Sequence, residues 1–524
     1  MRPDVPPVYD VAIVGFGPCG AVAAALLGGH GIKTWVCDQS CEIYDKPRAF
    51  ALDHEIMRVF QQLGIHDLVL AHAEPFTPSE FYGVSGQLIK RFTTVEPPYP
   101  LAFPPSLVFN QPATERILRD HVATLPSVHV ALGCEVVGLA QDNSEATLRV
   151  RSGNGEETQV RARYVIACDG ASSTVRGLVD IALEDLGFDQ AWLVVDVLVN
   201  DAGARKLPHV SVQYCEPARP TTYLIGPGQH RRWEIAINDG EDPQQVATPG
   251  GSWKLLSRWI TPSDGTLWRQ ASYRFHALVA ERWRSERVFV AGDAAHQQPP
   301  FLGQGMCQGI RDVANLCWKL NAVLHDGAVD SLLDTYGVER KAHVWALTSR
   351  IKTIGLLIGE RDVGAAKTRD ENLLAECGGT VKSLPRQDVQ PALSTGLLSP
   401  QTTSATGTIF PQPWLGTGAG AQRMDDLGGR GWRVVLDQGA AVELGSAATG
   451  LTSVKVVAIG SHGCEDADGI THNWFARHAC SAAIVRPDHY VYGVAASPDQ
   501  LSSQLQTLQK LLYQGDSHVT SNIS

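Results

Sequence analysis

The sequence predicts an α/β fold built from a discontinuous first unit, an inserted antiparallel sheet and a separate C-terminal α/β unit. A short apolar strand, a glycine turn, a helix and a second strand follow one another within residues 9–38, the order of a compact βαβ unit in a parallel sheet. The chain turns β-rich near residue 190, and an apolar strand ending in Gly292-Asp293 returns afterwards. From about residue 408 a fresh set of strands and a final helix begins, after a stretch rich in Gly, Ser, Thr, Gln and Pro.

The elements follow in order. Residues 9–14 (YDVAIV) read as a buried parallel strand, because the run is short and apolar. Residues 15–20 form the turn, an Ala/Leu-rich helix covers 21–27, and residues 32–37 (IKTWVC) form the next strand, ending at Asp38. Apolar spacing predicts amphipathic helices over 54–63 and 112–125. Strands are expected at 128–132, 134–140, 146–151 and 163–168. The segments AWLVVDVLVN, HVSVQY, TTYLIG and RRWEIAIN are β-rich with turn residues between them, as in an antiparallel sheet. A strand at 287–291 leads into helix from Gly305 to about His325, with more helix to about Leu357. Residues 362–407 lack periodicity and read as an irregular arm. WRVVLD, VKVVAIG, SAAIVRPDHYVYGV and a helix near 498–513 make the last unit.

Composition narrows the function classes. The chain has 524 residues, enough for several domains and a large core. Net charge is −11 with no Lys/Arg-rich block, which argues against nucleic acid and anionic membrane as partners. The eleven cysteines are odd in number and include no CxxC, so free thiols in a reducing, cytoplasmic setting are expected, and no metal site. The polar, Pro-containing start lacks a signal-peptide pattern. Gly15, Gly17, Pro18 and Gly20 interrupt the apolar run 11–27, which therefore does not read as a membrane helix.

Three segments carry chemistry. In Gly15-Phe16-Gly17-Pro18-Cys19-Gly20 the first glycine permits the turn, the second a close backbone approach to pyrophosphate, and the third tight helix–strand packing. Asp38 then ends the second strand, where a carboxylate accepts hydrogen bonds from a ribose. Dinucleotide binding is the expectation. The second segment, CDGASSTVR around Asp169, is a strand end followed by a helix start; alone it reads more readily as an ordinary capped turn. The third, RVFVAGDAAHQQPPFLGQGMCQGIRDVANLCWKL, places Gly292-Asp293 at a strand end and Gly303-Gln304-Gly305 before a helix. That second helix N-terminus suits a ligand that carries negative charge. His296 within it reads as a structural histidine more readily than as a base or metal ligand.

These segments, with KPRAFALDHE and LLDTYGVER, resemble the class A flavoprotein aromatic hydroxylases, in the branch with 3-(3-hydroxyphenyl)propionate hydroxylase and its polyketide-tailoring relatives. The resemblance implies a Rossmann-like FAD-binding domain over 1–185 and 275–360, a substrate-binding sheet over 186–274, a linker or arm over 361–407, and a thioredoxin-like domain over 408–524. That last domain has no CxxC, so packing or dimerisation is its expected role, and a homodimer is compatible with it. The resemblance also implies bound FAD, NADH or NADPH as transient donor, O₂, and hydroxylation of a small phenolic substrate through a flavin C4a-hydroperoxide, as in aromatic catabolism. A 3-hydroxyphenylpropionate-like acid is the first expectation. The alternatives are a natural-product tailoring oxygenase performing epoxidation or Baeyer–Villiger chemistry, and a non-catalytic flavoprotein.

Residue roles carry over with the motifs. Gly15, Gly17, Pro18 and Gly20 would hold the pyrophosphate and Asp38 the ribose. Arg48 would sit beside the flavin, Gln111 would contact the cofactor from the start of its helix, and Val136 would lie near the adenine. Asp169 would serve FAD and the nicotinamide donor, and Gly292-Asp293 the ribityl chain. Pro300, Gly303, Gly305 and Met306 would line the isoalloxazine. The family commonly has Asn where Cys307 stands, which implies one altered hydrogen bond to the flavin. A base would help form the phenolate, and Asp53 and His54, just after the PRA segment, are the candidates. The other reading of Asp53 is a helix N-cap, supported by Glu55. No second strand–GxGxxG–helix unit is present; Gly416 to Gly420 reads as a flexible loop not preceded by a strand.

Overall fold

The structure, a computed structural model, describes residues 8–437, 454–460 and 464–514. Five parallel strands form the heart of the first sheet, in the order Val288–Val290, Glu157–Ala167, Val8–Val14, Thr34–Asp38 and Val128–Leu132. The central ones are covered on both faces, so Val11, Ala12, Ile13, Val36, Val165 and Ile166 are wholly buried, while the edge strand Val128–Leu132 buries none of its residues. An antiparallel pair, Cys134–Gln141 and Ala146–Ser152, continues from the strand Glu157–Ala167. The helix Pro18–Gly29 buries every residue from Gly20 to Gly28, which explains its all-round apolar, small-residue composition. It lies beside the helix Gly305–Leu324. A methyl on Gly309 would stand 3.0 Å from the Gly292 Cα, so that glycine sets how closely the helix meets the strand-end loop.

The second sheet has nine strands. The segments expected near residue 190 form its centre: Leu183–Val199, Ser211–Tyr214, Thr221–Ile225 and His230–Ala236, with Gly265–Ala280 beside the first. Its far edge comes from elsewhere. Ser79–Tyr82 and Leu88–Thr93 join from the first unit, and Lys382–Pro385 adds a parallel edge strand. The arm is thus more ordered than its composition suggests. It carries the helix Val363–Ala375, capped by Asp362, and then that strand. Side chains alternate across the sheet: Leu193, Val195, Tyr223, Trp233 and Ile235 pack into one core, while their sequence neighbours face the first unit.

The last unit is a four-stranded sheet in the order Lys455–Ala458, Arg433–Leu436, Ala482–Val485 and Val491–Ala495. The first pair is parallel and the others antiparallel, with the helices Ile470–His478 and Pro498–Tyr513 alongside. A two-residue strand, Trp414–Leu415, does precede Gly416, and Gly418–Gly420 makes a 3-10 turn with no helix at its end. Buried ion pairs join this unit to the rest: Arg58 to Asp425 at 2.8 Å, and Arg486 to Glu339 at 2.7 Å. Among the described residues, no helix is long and apolar enough to cross a membrane. No group of three or more His, Cys, Asp or Glu placed to hold a metal ion occurs among them either.

Candidate active site

A cleft of about 860 Å³ runs between the parallel sheet and the second sheet. All the cofactor candidates except Gly20 line it: Gly15, Gly17, Pro18, Asp38, Arg48, Gln111, Val136, Asp169, Gly292, Asp293, Pro300, Gly303, Gly305 and Met306. Gly20 stands behind the lining. A side chain there would overlap the Gly15 carbonyl oxygen, so its role is packing, as the motif predicts. Gly15 has φ +100°, a conformation that L side chains rarely adopt, and its Cβ would overlap the Cys168 carbonyl. Gly17 differs: among the described residues nothing lies within 4 Å of its would-be Cβ, and it lines the cleft. It caps the helix Pro18–Gly29 without a side-chain hydrogen bond, so the helix's first N–H groups are not taken by a cap.

Asp38 holds this corner. Its carboxylate accepts from the Phe16 N–H at 2.7 Å and the Ser40 N–H at 2.8 Å. Arg119, which sequence reasoning missed, donates to the Phe16 carbonyl at 3.1 Å and lies over the Phe16 ring. Asp169 accepts from Ser173 Oγ at 2.5 Å and Val175 N–H at 3.0 Å, and burial raises its pKa. Arg176 ties the two strand-end loops together, donating to the carbonyls of Ala171 and Ala294, each at 3.0 Å.

The Gly292-Asp293 loop is clamped from beneath. Asp312 on the helix Gly305–Leu324 accepts from Gly292 N–H at 2.9 Å and pairs with Arg340 at 2.9 Å. His296 completes that buried cluster, 2.8 Å from Asp312 and stacked on Trp283, so it is structural. Asp293 itself opens to the cleft, yet protein surrounds it closely enough that desolvation raises its pKa. Gly305, like Gly17, has nothing within 4 Å of its would-be Cβ among the described residues, and none of their side chains caps its helix. Cys307 corrects an expectation: its thiol is wholly buried, points to the Ala51 carbonyl at 3.6 Å, and does not line the cleft.

Gln111 also acts differently from the simple reading. Its Oε1 accepts from the backbone N–H groups of Arg48 and Ala49, and its Nε2 donates to Glu115 at 2.6 Å. It shapes the PRA loop as well as facing the cleft. From the other side, Arg232 donates to the carbonyls of Pro47 and Arg48 at 2.9 and 3.0 Å, and Arg269 to that of Pro47 at 2.5 Å. Asp196, which is wholly buried, orders Arg232 at 2.7 Å and His230 at 2.7 Å.

The base candidates are not in the cleft. Asp53 caps the helix His54–Gln62 through Ile56 N–H at 3.2 Å and is ion-paired with Arg311. Burial acts to raise its pKa, but the Arg311 guanidinium outweighs it, and the carboxyl lies below the usual range. A carboxylate so committed is a poor proton acceptor. His54 is buried beside it, and desolvation lowers its pKa to about 4. Both line a small separate hollow. Asp53 takes the N-cap place that the sequence also allows, and neither side chain lines the cleft.

The polar wall of the cleft comes instead from the second sheet. Gln213, Thr222 and Glu234 pair across three adjacent strands and face the cleft, with Val194, Leu224, Phe76, Phe275 and Phe301 around them. His209, Tyr214, Tyr223 and Trp233, the aromatic and histidine residues that stand out in the sequence of this region, do not line it. The signal that finds the right ones is parity: Gln213, Thr222 and Glu234 each stand next to an aromatic, Tyr214, Tyr223 or Trp233, and face the opposite side of the sheet.

Comparison with known proteins matches this geometry. A family model described as FAD binding domain matches residues 8–351, and one described as HcaD C-terminal domain matches 407–511. The probable NADH-specific resorcinol 4-hydroxylase of Rhodococcus jostii (strain RHA1) is 36% identical, covering 95% of this chain and 94% of that protein. The chain belongs to the FAD-dependent aromatic hydroxylases. The 3-(3-hydroxy-phenyl)propionate/3-hydroxycinnamic acid hydroxylase of Burkholderia cenocepacia (strain HI2424), also of this family, is 34% identical over 92% of the chain and 93% of its own length. The solved flavin-dependent monooxygenase PieE, in complex with FAD and substrate, shares the fold with a TM-score of 0.81 at 22% identity, covering 98% of this chain and 100% of that one.

Proposed function

We propose that this enzyme uses FAD, NADH and O₂ to hydroxylate a phenolic ring, and that its substrate is a phenolic acid of the 3-(3-hydroxyphenyl)propionate type. The observation that carries the reading is the continuity of one cleft from the glycine-lined trench to the pocket under the second sheet. The residues fit the cofactor. Gly15, Gly17 and the start of the helix Pro18–Gly29 would hold its pyrophosphate, Asp38 its ribose and Asp293 its ribityl chain. Gly303, Gly305 and Met306 would leave room for the ring system. Bound there, FAD would accept hydride from the nicotinamide and activate O₂ for transfer to the ring. The protein's part is to place the phenol, hold its polar groups and exclude water. Phe76, Phe275, Phe301 and Leu224 supply the apolar walls.

Arg386 supports an acidic substrate. It reaches the cleft from the arm, is buried and stacks on Phe76 at 4.1 Å; among the described residues no carboxylate pairs with it within 4 Å, and Asp53 acts on it from farther away. Desolvation lowers its pKa to about 10, so it stays cationic at neutral pH. It donates to the Leu302 carbonyl at 2.7 Å and keeps further N–H donors for a ligand carboxylate. A second reading, a dihydric phenol without a carboxylate, draws on the name of the 36% identical relative.

The test is NADH oxidation by the FAD-loaded enzyme with 3-(3-hydroxyphenyl)propionate, resorcinol and other phenols, alongside peroxide and product mass. Stimulated oxidation, a product one oxygen heavier and little peroxide are expected. Arg386→Ala should raise KM for the acid about tenfold to a hundredfold, the loss of a charge-assisted hydrogen bond, and leave resorcinol unaffected. Turnover of resorcinol alone, with no effect of the acid, would select the second reading.

A further inference from the structure

We infer that Glu234 is the catalytic base of this enzyme: its carboxylate takes the proton of the substrate's phenolic hydroxyl. The inference rests on the phenol-hydroxylase reading above. Glu234 lies at the middle of the strand His230–Ala236, directly opposite Thr222 on one neighbour and Val194 on the other. Its side chain faces the cleft, yet only 2% of the residue is exposed. Its Oε2 has no hydrogen-bond partner, and no cationic nitrogen lies within 4 Å of the carboxylate among the described residues. A buried carboxylate oxygen that faces a cleft without a donor is costly to leave unpaired. A hydroxyl group on the bound ring supplies the missing donor.

The rest of the wall agrees. Thr222 Oγ donates to Gln213 Oε1 at 2.5 Å, so that hydroxyl hydrogen is directed away from Glu234. The charged groups that face Glu234 are Arg232 on its own strand, Asp196 on the adjacent strand and Arg269 on the strand beyond; the strand Thr221–Ile225 presents only Thr222. Arg232 and Arg269 are already engaged with the PRA loop, and Arg232 also pairs with Asp196. Desolvation, opposed by Arg232, raises the Glu234 pKa to about 7, in the range that suits proton transfer at neutral pH. In the step itself the phenolic O–H bond breaks and its proton forms an O–H bond with Glu234. The electron pair stays on the phenolic oxygen and activates the ring carbons ortho and para to it. The proton then leaves to solvent as product departs.

The experiment compares wild type, Glu234→Gln and Glu234→Asp, each loaded with FAD, using whichever phenol the wild type hydroxylates. Wild-type kcat/KM should rise with pH through a limb near 7. Glu234→Gln should lose about 100-fold or more and lose that limb, its rate rising instead with the phenol's own ionisation. Glu234→Asp should recover part of the rate and the limb. Ultraviolet difference spectra of the bound phenol, taken without NADH, give a readout independent of turnover: above pH 7 the wild type should perturb the phenol band toward phenolate, and Glu234→Gln should not. A Gln variant that keeps the limb and the spectral change overturns the assignment. So does a wild type whose limb lies at or below pH 5, which keeps the test open should the variants fail to fold. A wild type stimulated by no phenol would instead overturn the function on which the inference stands.

Discussion

Gly17 and Gly20 sit in one turn and are glycines for opposite reasons. A methyl at Gly20 drives into the Gly15 carbonyl, whereas a methyl at Gly17 meets nothing within 4 Å. Gly20→Ala should therefore cost folding stability, about 1–3 kcal/mol or more as backbone overpacking. Gly17→Ala should fold with a stability change under about 1 kcal/mol but purify with little flavin, because its methyl occupies the cofactor's approach. Flavin-to-protein ratio and the thermal midpoint of the flavin-free protein separate the two; a fully flavinated Gly17→Ala would remove this glycine from the binding role. The motif was readable without coordinates because each role follows from steric rules alone. Glu234 was not readable. Its significance depends on which neighbours leave its Oε2 unpaired, and Arg232 and Asp196 are set by sheet register.

At the scale of elements, Asp53 shows how a residue close to the site in sequence is diverted by structure. It caps one helix, pairs with Arg311 on another, and so fixes the helix Gly305–Leu324 against the helix His54–Gln62. Asp53→Asn leaves Arg311 with Glu55 at 2.6 Å as its remaining carboxylate and Gln304 at 3.1 Å, and should cost about 1–3 kcal/mol in denaturant unfolding. The pH–rate limb near 7 should stay where it is; its disappearance in this variant would return the base role to Asp53. Helices and central strands were legible because their apolar periods are strong. The strands Ser79–Tyr82 and Leu88–Thr93 were missed because short alternating segments gain their meaning only from a partner far along the chain. The arm helix Val363–Ala375 buries only Ala366 and Asp370, so its sequence carries almost no apolar stripe.

At the scale of the whole molecule, the C-terminal unit is bolted to the first one by charge rather than by a broad apolar face alone. Asp425 accepts from Arg58 at 2.8 and 3.0 Å and from Arg433 at 2.5 Å, and all three side chains are at least nine-tenths buried. Tyr490 reaches Glu55 at 3.3 Å and thereby touches the Arg311 cluster. No sequence pattern pairs Arg58 with a residue 367 positions away, so this joint had to be seen. Burial would raise the Asp425 pKa, but Arg58, His489 and Arg433 hold it well below the ordinary carboxylate range. Its contribution to stability is therefore complete above the unfolded Asp value of about 3.9 and fades only as pH falls through the lower folded value. Asp425→Asn leaves two guanidinium groups buried without their carboxylate, and should lower unfolding free energy by about 3–5 kcal/mol at pH 7. The gap to wild type should stay constant from pH 5 to 8 and close only in strong acid. Because Arg58 lies on the helix that follows the PRA loop, the same variant should also release FAD faster. An unchanged flavin off-rate in a destabilised Asp425→Asn would mean that the joint holds the two units together without shaping the cleft.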